Sequence, residues 1–266
     1  MKKLVIISGV TGAIGNALLA EYGKQKETVV YGISRQALDL LSFINPKTGM
    51  IYPSTLICSV PGNNEDGYKE FVKLIDFSIF SEIIYVHALG LYPFEVNEQG
   101  EHIVSHDEDG DGIDDRCMYL SYTLFRLITS EIISHSTCPV HCAIFGSLAD
   151  KFGPLVHKSW CHVINKVKNY MKEAANNQAT MLLLNISSVI CSHELINRPF
   201  VFINTDADHS YWLTPWEISK TVIKELKKAN GYFHEKELFN FNPGFETDYY
   251  QNRKFTPRKI AELFKG

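Results

Sequence analysis

Short apolar runs alternate along the chain with longer amphipathic segments. The short runs are rich in valine, isoleucine and leucine, which is typical of strands buried on both faces. The longer segments place apolar residues at the spacing of one helix face. The predicted strands are Lys3–Ser8, Thr28–Ile33, Ser54–Val60, Glu82–His87, Val140–Phe145, Thr180–Ile190 and Glu237–Phe241. The predicted helices are Ala13–Gly23, Gln36–Phe43, Asp66–Phe80, Arg116–Ser134, Lys158–Asn177, a helix from Thr214 to about Lys228, and Thr256–Phe264.

Strands that alternate with helices of roughly 10 to 15 residues indicate βαβ units and a parallel sheet. No internal repeat, low-complexity tract or linker divides the chain. We therefore predict an α/β fold: a single Rossmann-type, doubly wound domain over residues 1–266. It would hold a parallel sheet of about seven strands with helices on both faces. A polar stretch at about residues 92–115 interrupts the alternation and is predicted to be an insertion.

The first predicted strand runs into a glycine-rich turn, Ser8-Gly9-Val10-Thr11-Gly12-Ala13-Ile14-Gly15, which opens the first helix. Glycine lets the backbone bend tightly and approach a pyrophosphate, and the helix N-terminus adds N–H groups and a positive dipole end. A lone glycine motif is weak evidence, but its strand–turn–helix context is that of a dinucleotide site. The predicted contacts to the cofactor are Gly9, Thr11, Gly12, Ala13, Ile14 and Gly15.

The end of the second predicted strand indicates which dinucleotide is bound. In dinucleotide folds an acidic residue here binds the ribose 2′-hydroxyl of NAD, whereas an arginine accommodates the 2′-phosphate of NADP. No acidic residue stands at positions 33–35, where the sequence reads Ile33-Ser34-Arg35. The sequence therefore favours NADP(H) over NAD, with Ser34 and Arg35 beside the 2′-phosphate.

The overall composition excludes several function classes. The 266 residues are 45% hydrophobic, which suffices for a sizeable core and excludes general disorder. The net charge of −4 gives no basic field for nucleic acid or acidic membranes. No apolar segment reaches the roughly 18 residues that a membrane span needs. The six scattered cysteines are typical of reduced thiols, so we expect a cytoplasmic protein.

The net negative charge comes from one segment. Six acidic residues lie between positions 107 and 115, and the rest of the chain has slightly more basic than acidic side chains. Within the segment, Asp107, Asp109 and Asp111 form a D-x-D-x-D-G pattern that resembles thrombospondin-type calcium repeats and offers oxygen ligands to Ca²⁺. The closing glutamate of an EF-hand loop would fall at Met118, which cannot coordinate. Cation binding therefore stands beside a second interpretation, an exposed acidic loop that favours the N-terminus of the next helix.

Motifs along nearly the whole chain resemble the short-chain dehydrogenase/reductase family. They are the glycine turn at 9–15, Ser34-Arg35, Val86-His87-Ala88-Leu89-Gly90, Gly146-Ser147, Lys166, and Asn240-Phe241-Asn242-Pro243-Gly244-Phe245. The resemblance implies that His87, Ala88 and Gly90 line the cofactor. It also implies a reductase or dehydrogenase that acts on a carbonyl or alcohol of a small molecule, and that assembles as a homodimer or homotetramer.

The catalytic residues of this family are a serine, a tyrosine, and a lysine four residues after the tyrosine. The serine orients the substrate oxygen, the tyrosine transfers a proton, and the lysine holds the nicotinamide ribose while hydride moves to or from the nicotinamide ring. By the resemblance, Ser147 matches the serine and Lys166 matches the lysine. The tyrosine position holds His162, which the i, i+4 spacing places on the same helix face as Lys166.

Three interpretations of His162 are open. In the first, it substitutes for the tyrosine and transfers the proton. In the second, another side chain does so, with Tyr92, Tyr122 and Tyr211 as candidates. In the third, catalysis is lost and the protein only binds cofactor or acts as a scaffold. The glycine spacing at 9–15 also matches family branches with sugar-nucleotide epimerases and dehydratases, which adds a further alternative.

Two other departures indicate a divergent member of the family. His87 stands where the family usually has an asparagine before Ala-Gly. The usual Pro-Gly after the sixth strand is missing from Ile186-Ser187-Ser188-Val189.

Overall fold

A computed structural model describes most of the chain. It covers residues 2–34, 55–59, 64–90, 95–96, 102–104, 106–147, 158–175, 179–187, 189, 213–228 and 231–238. The predicted helices Gln36–Phe43 and Thr256–Phe264 lie outside these residues, as do Arg35, Tyr92 and Tyr211.

The elements follow the predicted alternation of strands and helices. The strands are β1 Lys2–Ser8, β2 Thr28–Ser34, β3 Thr55–Ser59, β4 Phe80–His87, β5 Glu95–Val96, β6 His102–Ile103, β7 Val140–Ser147, β8 Ala179–Ile186 and β9 Phe233–Leu238. The helices are α1 Ala13–Gly23, α2 Glu65–Lys73, α3 Asp115–Met118, α4 Leu124–His135, α5 Lys158–Ala174 and α6 Pro215–Leu226. A 3₁₀ turn spans Phe77–Ile79, and a π turn, Tyr119–Thr123, joins α3 to α4.

Seven of the strands form one sheet in the order β3-β2-β1-β4-β7-β8-β9. Every neighbouring pair in this sheet is parallel. The predicted parallel sheet of about seven strands is therefore confirmed. The strand order reverses between β1 and β4, and doubly wound sheets bind their ligands beside such a switch point, at the carboxyl ends of the strands.

Alternate residues of the strands supply two cores, one on each face of the sheet. Leu4 and Ile6 of β1 belong to the core covered by α2, α4 and α5. Val5 and Ile7 belong to the core covered by α1 and α6. Because successive side chains of a strand point to opposite faces, a continuously apolar strand needs helices on both sides. The structure confirms that arrangement.

Three predicted elements are wrong in their bounds. Strand β8 ends at Ile186 rather than at Ile190. Helix α2 ends at Lys73 rather than at Phe80, because Asp76 then caps a 3₁₀ turn by accepting a hydrogen bond from the Ser78 N–H, at 3.0 Å. The apolar residues after Lys73 supply that turn and the start of β4. The last strand, β9, begins at Phe233 rather than at Glu237, and residues 239–241 lie outside the described part of the chain. Three of its six residues are exposed and charged, so the apolar pattern did not indicate it.

The polar stretch predicted as an insertion contains a feature that the sequence did not predict. Within it, β5 and β6 pair as a two-stranded antiparallel hairpin that is separate from the main sheet. The helix start at Thr214 does follow the sequence signal. The Thr214 Oγ1 accepts a hydrogen bond from the Glu217 N–H at 3.2 Å, and the Glu217 carboxylate accepts one from the Thr214 N–H at 2.7 Å.

Candidate functional site

Three predicted site residues and Ser8, the residue before the glycine turn, stand at the carboxyl edge of the sheet. Ser8, Ser34, His87 and Ser147 are the last residues of β1, β2, β4 and β7. Because parallel strands end at a common edge, residues far apart in sequence are brought to the side where doubly wound folds bind ligands. The glycine turn leaves the sheet at this edge, directly after Ser8.

Close backbone contacts explain why two positions of the turn are glycine. Gly9 has a φ of +80°, and a Cβ there would lie 2.6 Å from the Ala88 carbonyl oxygen. A Cβ on Gly15 would lie 2.1 Å from the Gly9 carbonyl oxygen. Gly12 is exposed, and a Cβ there would meet only that oxygen, at 3.3 Å. The fold itself thus excludes side chains at 9 and 15, whereas the bare Gly12 leaves space outside the protein for a ligand.

The start of α1 lacks a capping side chain. Its N-cap is Gly12, no side chain caps it, and the first turn carries no acidic residue. The first intrahelical bond runs from the Asn16 N–H to the Gly12 carbonyl, so the N–H groups of Ala13 and Ile14 precede the helical ladder. Such a helix start attracts an anion through its N–H groups and its dipole. The residues present therefore fit the predicted pyrophosphate.

Three other helix starts in the described part of the chain differ from that of α1. Helices α2, α3 and α6 begin with capping side chains at Asn64, Asp114 and Thr214, each of which accepts a backbone hydrogen bond. Each of these three helices also has an acidic residue in its first turn. A capping side chain and an acidic residue in the first turn both disfavour a bound anion. Helix α1 has neither, so its sequence distinguishes it from α2, α3 and α6.

Of the two residues predicted to select NADP over NAD, the structure describes Ser34. Ser34 ends β2, pairs in register with Ser59 of β3, and is 3% exposed. Arg35 lies outside the described residues. The preference for NADP(H) stays a prediction based on the lack of an acidic residue at this strand end.

Helix α5 presents His162 and Lys166 away from the core. Both side chains are exposed, whereas Val163, Ile164 and Val167 are fully buried. The predicted i, i+4 face is therefore a solvent-accessible one, as a group that contacts a bound ligand requires. Ser147 is half-buried at the end of β7. The catalytic roles of these three residues stay predictions.

Of the alternative proton donors, Tyr122 lies in the described part of the chain. It belongs to the π turn, its hydroxyl accepts a hydrogen bond from Arg126 Nη1 at 3.4 Å, and the Arg126 guanidinium lies 5.7 Å from its ring centroid. The Tyr122 side chain thus interacts with Arg126, one helical turn further along the chain.

The His87 ring points into the interior of the protein. It is fully buried, shares one face of β4 with Tyr85, and bonds through both nitrogens. Nδ1 lies 2.7 Å from the Tyr85 hydroxyl and 3.0 Å from Ser8 Oγ, while Nε2 lies 2.7 Å from the Leu120 carbonyl oxygen. The ring therefore belongs to an internal hydrogen-bond network, and the contact of His87 with a cofactor that the resemblance implied stays a prediction.

The partners of His87 determine its tautomer. A carbonyl oxygen can only accept, so Nε2 carries the proton and donates it to Leu120. Nδ1 is then an acceptor, and the Tyr85 hydroxyl donates to it across the shorter of the two contacts. Burial lowers the pKa of His87 to about 4, and it raises the pKa of Tyr85 well above its ordinary value. The network is therefore uncharged at neutral pH.

We expect the free energy of unfolding to fall as the pH drops from about 6.5 towards about 4. An unfolded histidine titrates near pH 6.5, whereas folded His87 titrates at about 4, so in this range the unfolded chain binds the extra proton. This contribution is complete above about pH 6.5 and is lost as the pH falls, to a total of roughly 3 kcal/mol. Urea unfolding between pH 7 and 4.5 measures it. The His87→Gln variant should show a shallower slope, and an unchanged slope would contradict the assignment.

The acidic loop brings three carboxylates together. Oxygens of Asp107, Asp109 and Asp111 all lie within 4.8 Å of one another. The Gly112 N–H donates to Asp107 Oδ2 at 2.9 Å, while Asp107 Oδ1 is buried without a hydrogen-bond partner in the described part of the chain. Asp114 accepts from the Cys117 N–H at 2.7 Å and so caps α3. Asp114 therefore supports the N-terminus of the next helix, as the second interpretation expects, although it is buried rather than exposed, and cation binding by the other three stays a prediction.

We expect millimolar Ca²⁺ to raise the melting temperature by roughly 3 °C, the effect of a ligand at about ten times its Kd on a chain of this size. The triple variant Asp107→Asn, Asp109→Asn, Asp111→Asn should show no such rise. Its affinity for a dinucleotide should be unchanged, because the loop lies apart from the glycine turn in sequence. Differential scanning fluorimetry with Mg²⁺ as the control tests this. Equal stabilisation of the wild type and the triple variant by Ca²⁺ would show that these three carboxylates do not form the binding site.

Comparison with known proteins finds the fold but no close relative. No protein-family model and no curated protein matches the sequence. A short chain dehydrogenase family protein from Francisella tularensis subsp. tularensis SCHU S4 superimposes with a TM-score of 0.66 at 12% identity, over 89% of this chain and 98% of that one. Serine dehydrogenase from Escherichia coli gives 0.59 at 13% identity, over 87% and 96%. A 4-hydroxyisoleucine dehydrogenase complexed with NADH gives 0.66 at 12% identity, over 89% and 97%.

The fold is that of the short-chain dehydrogenases/reductases. The resemblance that the motifs indicated is thus confirmed at the level of the fold, at 12–13% sequence identity. Among the described residues, no helix has both the length and the apolar character to cross a bilayer.

Sequence reasoning missed the inward orientation of His87 and the π turn. One signal was available for the first, because Tyr85 and His87 are two residues apart in a strand and must share a face. The π turn left no such signal, since its residues continue the helical apolar pattern of the flanking helices.

Proposed function

We propose that this chain is an NADP(H)-dependent oxidoreductase that transfers hydride between the nicotinamide and a carbonyl or alcohol of a small molecule. The observation that carries the proposal is the uncapped start of α1 behind a glycine turn whose backbone leaves no space for side chains at two positions. This anion site lies at the carboxyl edge of a sheet whose order is that of dehydrogenases, one of them complexed with NADH.

Each part of the cofactor has residues suited to hold it. The N–H groups of Ala13 and Ile14 and the bare surface of Gly12 suit the pyrophosphate. Ser34 and Arg35 are assigned to the 2′-phosphate, because position 33–35 lacks the acidic residue that would repel it. Lys166 is assigned to the nicotinamide ribose. When bound, the nicotinamide supplies or accepts the hydride.

The chain's own residues would orient the substrate and move the proton. Ser147 would donate a hydrogen bond to the substrate oxygen, which polarises the carbonyl. In reduction, the carbonyl carbon gains the hydride and its oxygen gains a proton, which His162 would deliver. In oxidation both move in reverse. In reduction the imidazolium form of His162 would give up its proton and become a neutral imidazole, in oxidation the neutral imidazole would take up the substrate proton, and exchange with solvent would restore the starting form.

A catalytically silent dinucleotide-binding protein is the second candidate. The observation that favours it is the histidine at 162, the position that the resemblance assigns to the proton-transferring tyrosine of the family. Fluorescence titration with NADPH and NADH, followed by turnover assays on a panel of ketones, aldehydes and alcohols, separates the two. Oxidoreductase activity predicts NADPH binding at lower concentration than NADH, and net oxidation of NADPH with some carbonyl. Tight binding without turnover at any pH supports the silent alternative, and an epimerase or dehydratase would consume no NADPH.

We expect His162→Tyr to move the pH dependence of kcat towards alkaline values. Imidazoles ordinarily titrate near pH 6.5 and phenols near pH 10, so a proton-transferring group of the second type works over a different range. Measuring kcat from pH 5 to 10 for both proteins tests this. His135→Tyr is the matched control, because His135 is an exposed histidine at the end of α4. Identical profiles for wild type and His162→Tyr would remove His162 from the mechanism.

A further inference from the structure

We propose that His87 is a positioning residue that holds the glycine turn of the cofactor site in register with the helix carrying His162 and Lys166. The proposal builds on the proposed function, because it assigns the alignment of its cofactor and proton-transfer groups to one buried side chain. His87 differs from the asparagine that the resemblance leads one to expect at this position, so the arrangement is a property of this chain.

One side of the His87 ring holds the start of the glycine turn. Its Nδ1 lies 3.0 Å from Ser8 Oγ, and Ser8 is the last residue before Gly9. The backbone strengthens the same junction, since the Ala88 N–H donates to the Ser8 carbonyl at 2.9 Å. Gly9 itself packs so closely on the Ala88 carbonyl that no Cβ fits between them. A shift of the His87 backbone or ring would therefore be passed directly to the turn.

The other side of the ring holds the π turn. Nε2 donates to the Leu120 carbonyl oxygen at 2.7 Å, inside the π turn Tyr119–Thr123. A π turn changes the regular hydrogen-bond ladder of a helix and so makes a carbonyl available to an outside donor. The π turn in turn packs against α5, the helix of His162 and Lys166. The ring is thus a link in a continuous path from the pyrophosphate turn to the proposed catalytic helix.

The length of histidine matters for this link. An asparagine at 87 places its amide near the position of Nδ1, where it can reach Ser8 and Tyr85 but not Leu120. A glutamine places its terminal NH₂ near the position of Nε2, where it can donate to Leu120. The two substitutions therefore remove opposite ends of the connection, and neither introduces a charge.

The test is a comparison of four variants in the full chain. His87→Asn should keep the Kd for NADPH within about threefold and lower kcat about tenfold, because a small misplacement of reacting groups costs at least that much. His87→Gln, which keeps the bond to Leu120 and loses the one to Ser8, should recover most of kcat but raise the Kd for NADPH about as much as Ser8→Ala does. Ser8→Ala, which removes the contact to the turn, should raise the Kd for NADPH about tenfold, as expected for one lost buried hydrogen bond. His141→Asn is the control, since His141 is a buried histidine near the opposite edge of the sheet.

A merely structural role would lower the melting temperature without separating kcat from Kd. The proposal is overturned if His87→Asn lowers kcat no more than His141→Asn, or if His87→Gln fails to recover it. Failure of the proposed function is a different result, namely no binding or turnover of NADPH by the wild type. In that event the connection from His87 to the π turn can still be tested by ¹⁵N chemical shifts of His87 and by hydrogen exchange of the Leu124 amide. If the connection exists, the chemical shifts should show an Nε2–H tautomer. The Leu124 amide should also exchange faster in His87→Asn than in His87→Gln.

Discussion

Gly15→Ala is expected to lower the melting temperature by roughly 10 °C and to abolish dinucleotide binding. The new Cβ would lie 2.1 Å from the Gly9 carbonyl oxygen, and both are backbone positions that no rotamer change can relieve. Either α1 moves away from the turn or the turn opens, at a cost of about 3 kcal/mol, the upper range for overpacking. Thermal unfolding without ligand and fluorescence titration with NADPH measure the two effects.

Gly12→Ala is the matched control for this prediction. Its Cβ would meet one backbone oxygen at 3.3 Å and otherwise point to solvent, so the melting temperature should change by only a few degrees. Cofactor affinity should nevertheless fall, because the methyl group occupies the space assigned to the pyrophosphate. If Gly12→Ala binds NADPH like the wild type, the anion does not lie on this face of the turn. If Gly15→Ala keeps its stability, the close packing of α1 on the turn is wrong.

Lys166→Ala is expected to lower kcat/KM by about 10³-fold while leaving the fold intact. Lys166 is exposed and contributes no side chain to the core, so its loss should leave the melting temperature nearly unchanged. In the proposed function it holds the nicotinamide ribose, and loss of a positioned charged group in an active site typically costs two to four orders of magnitude, roughly 10²–10⁴. Steady-state kinetics with NADPH as the varied substrate measures this.

Lys172→Ala separates a site effect from a general loss of charge on the same helix. Lys172 is exposed in the last turn of α5, and its ammonium lies 5.7 Å from the Phe233 ring on β9. We expect this variant to keep its kcat/KM within about twofold, since exposed pairs of this kind contribute little. Equal losses in Lys166→Ala and Lys172→Ala would show that Lys166 has no special role.

The sequence predicted the fold well where one physical signal dominated. Continuously apolar strands such as Leu4–Ile7 require cover on both faces, and helices with one apolar stripe provide it. The helix start at Thr214 was also predictable, because a capping box is a local interaction among neighbouring residues. Where the local signal was weak or continuous, the prediction failed. The charged β9 was misplaced, and α2 was extended through apolar residues that belong to the next strand.

The candidate site divides in the same way. The glycine turn and the i, i+4 pair of His162 and Lys166 were visible in the sequence, because each is built from residues close together in the chain. The His87 network was not, since its partners Ser8 and Leu120 lie 79 and 33 residues away. Whether a polar side chain at a strand end faces a ligand or the interior depends on which other elements pack against that strand end.

The sequence by itself determined the parallel α/β architecture, the glycine turn at the carboxyl edge of the sheet and the exposed face of α5 that carries His162 and Lys166. These follow from periodicity, from glycine stereochemistry and from spacing on one helix, which are all local properties of the chain. The tertiary structure alone decided that Gly9 and Gly15 are required by backbone contacts, and that His87 is a buried neutral link between β1, β4 and the π turn. Those outcomes depend on strands and helices brought together from distant parts of the chain, where burial and available partners fix the role of each side chain.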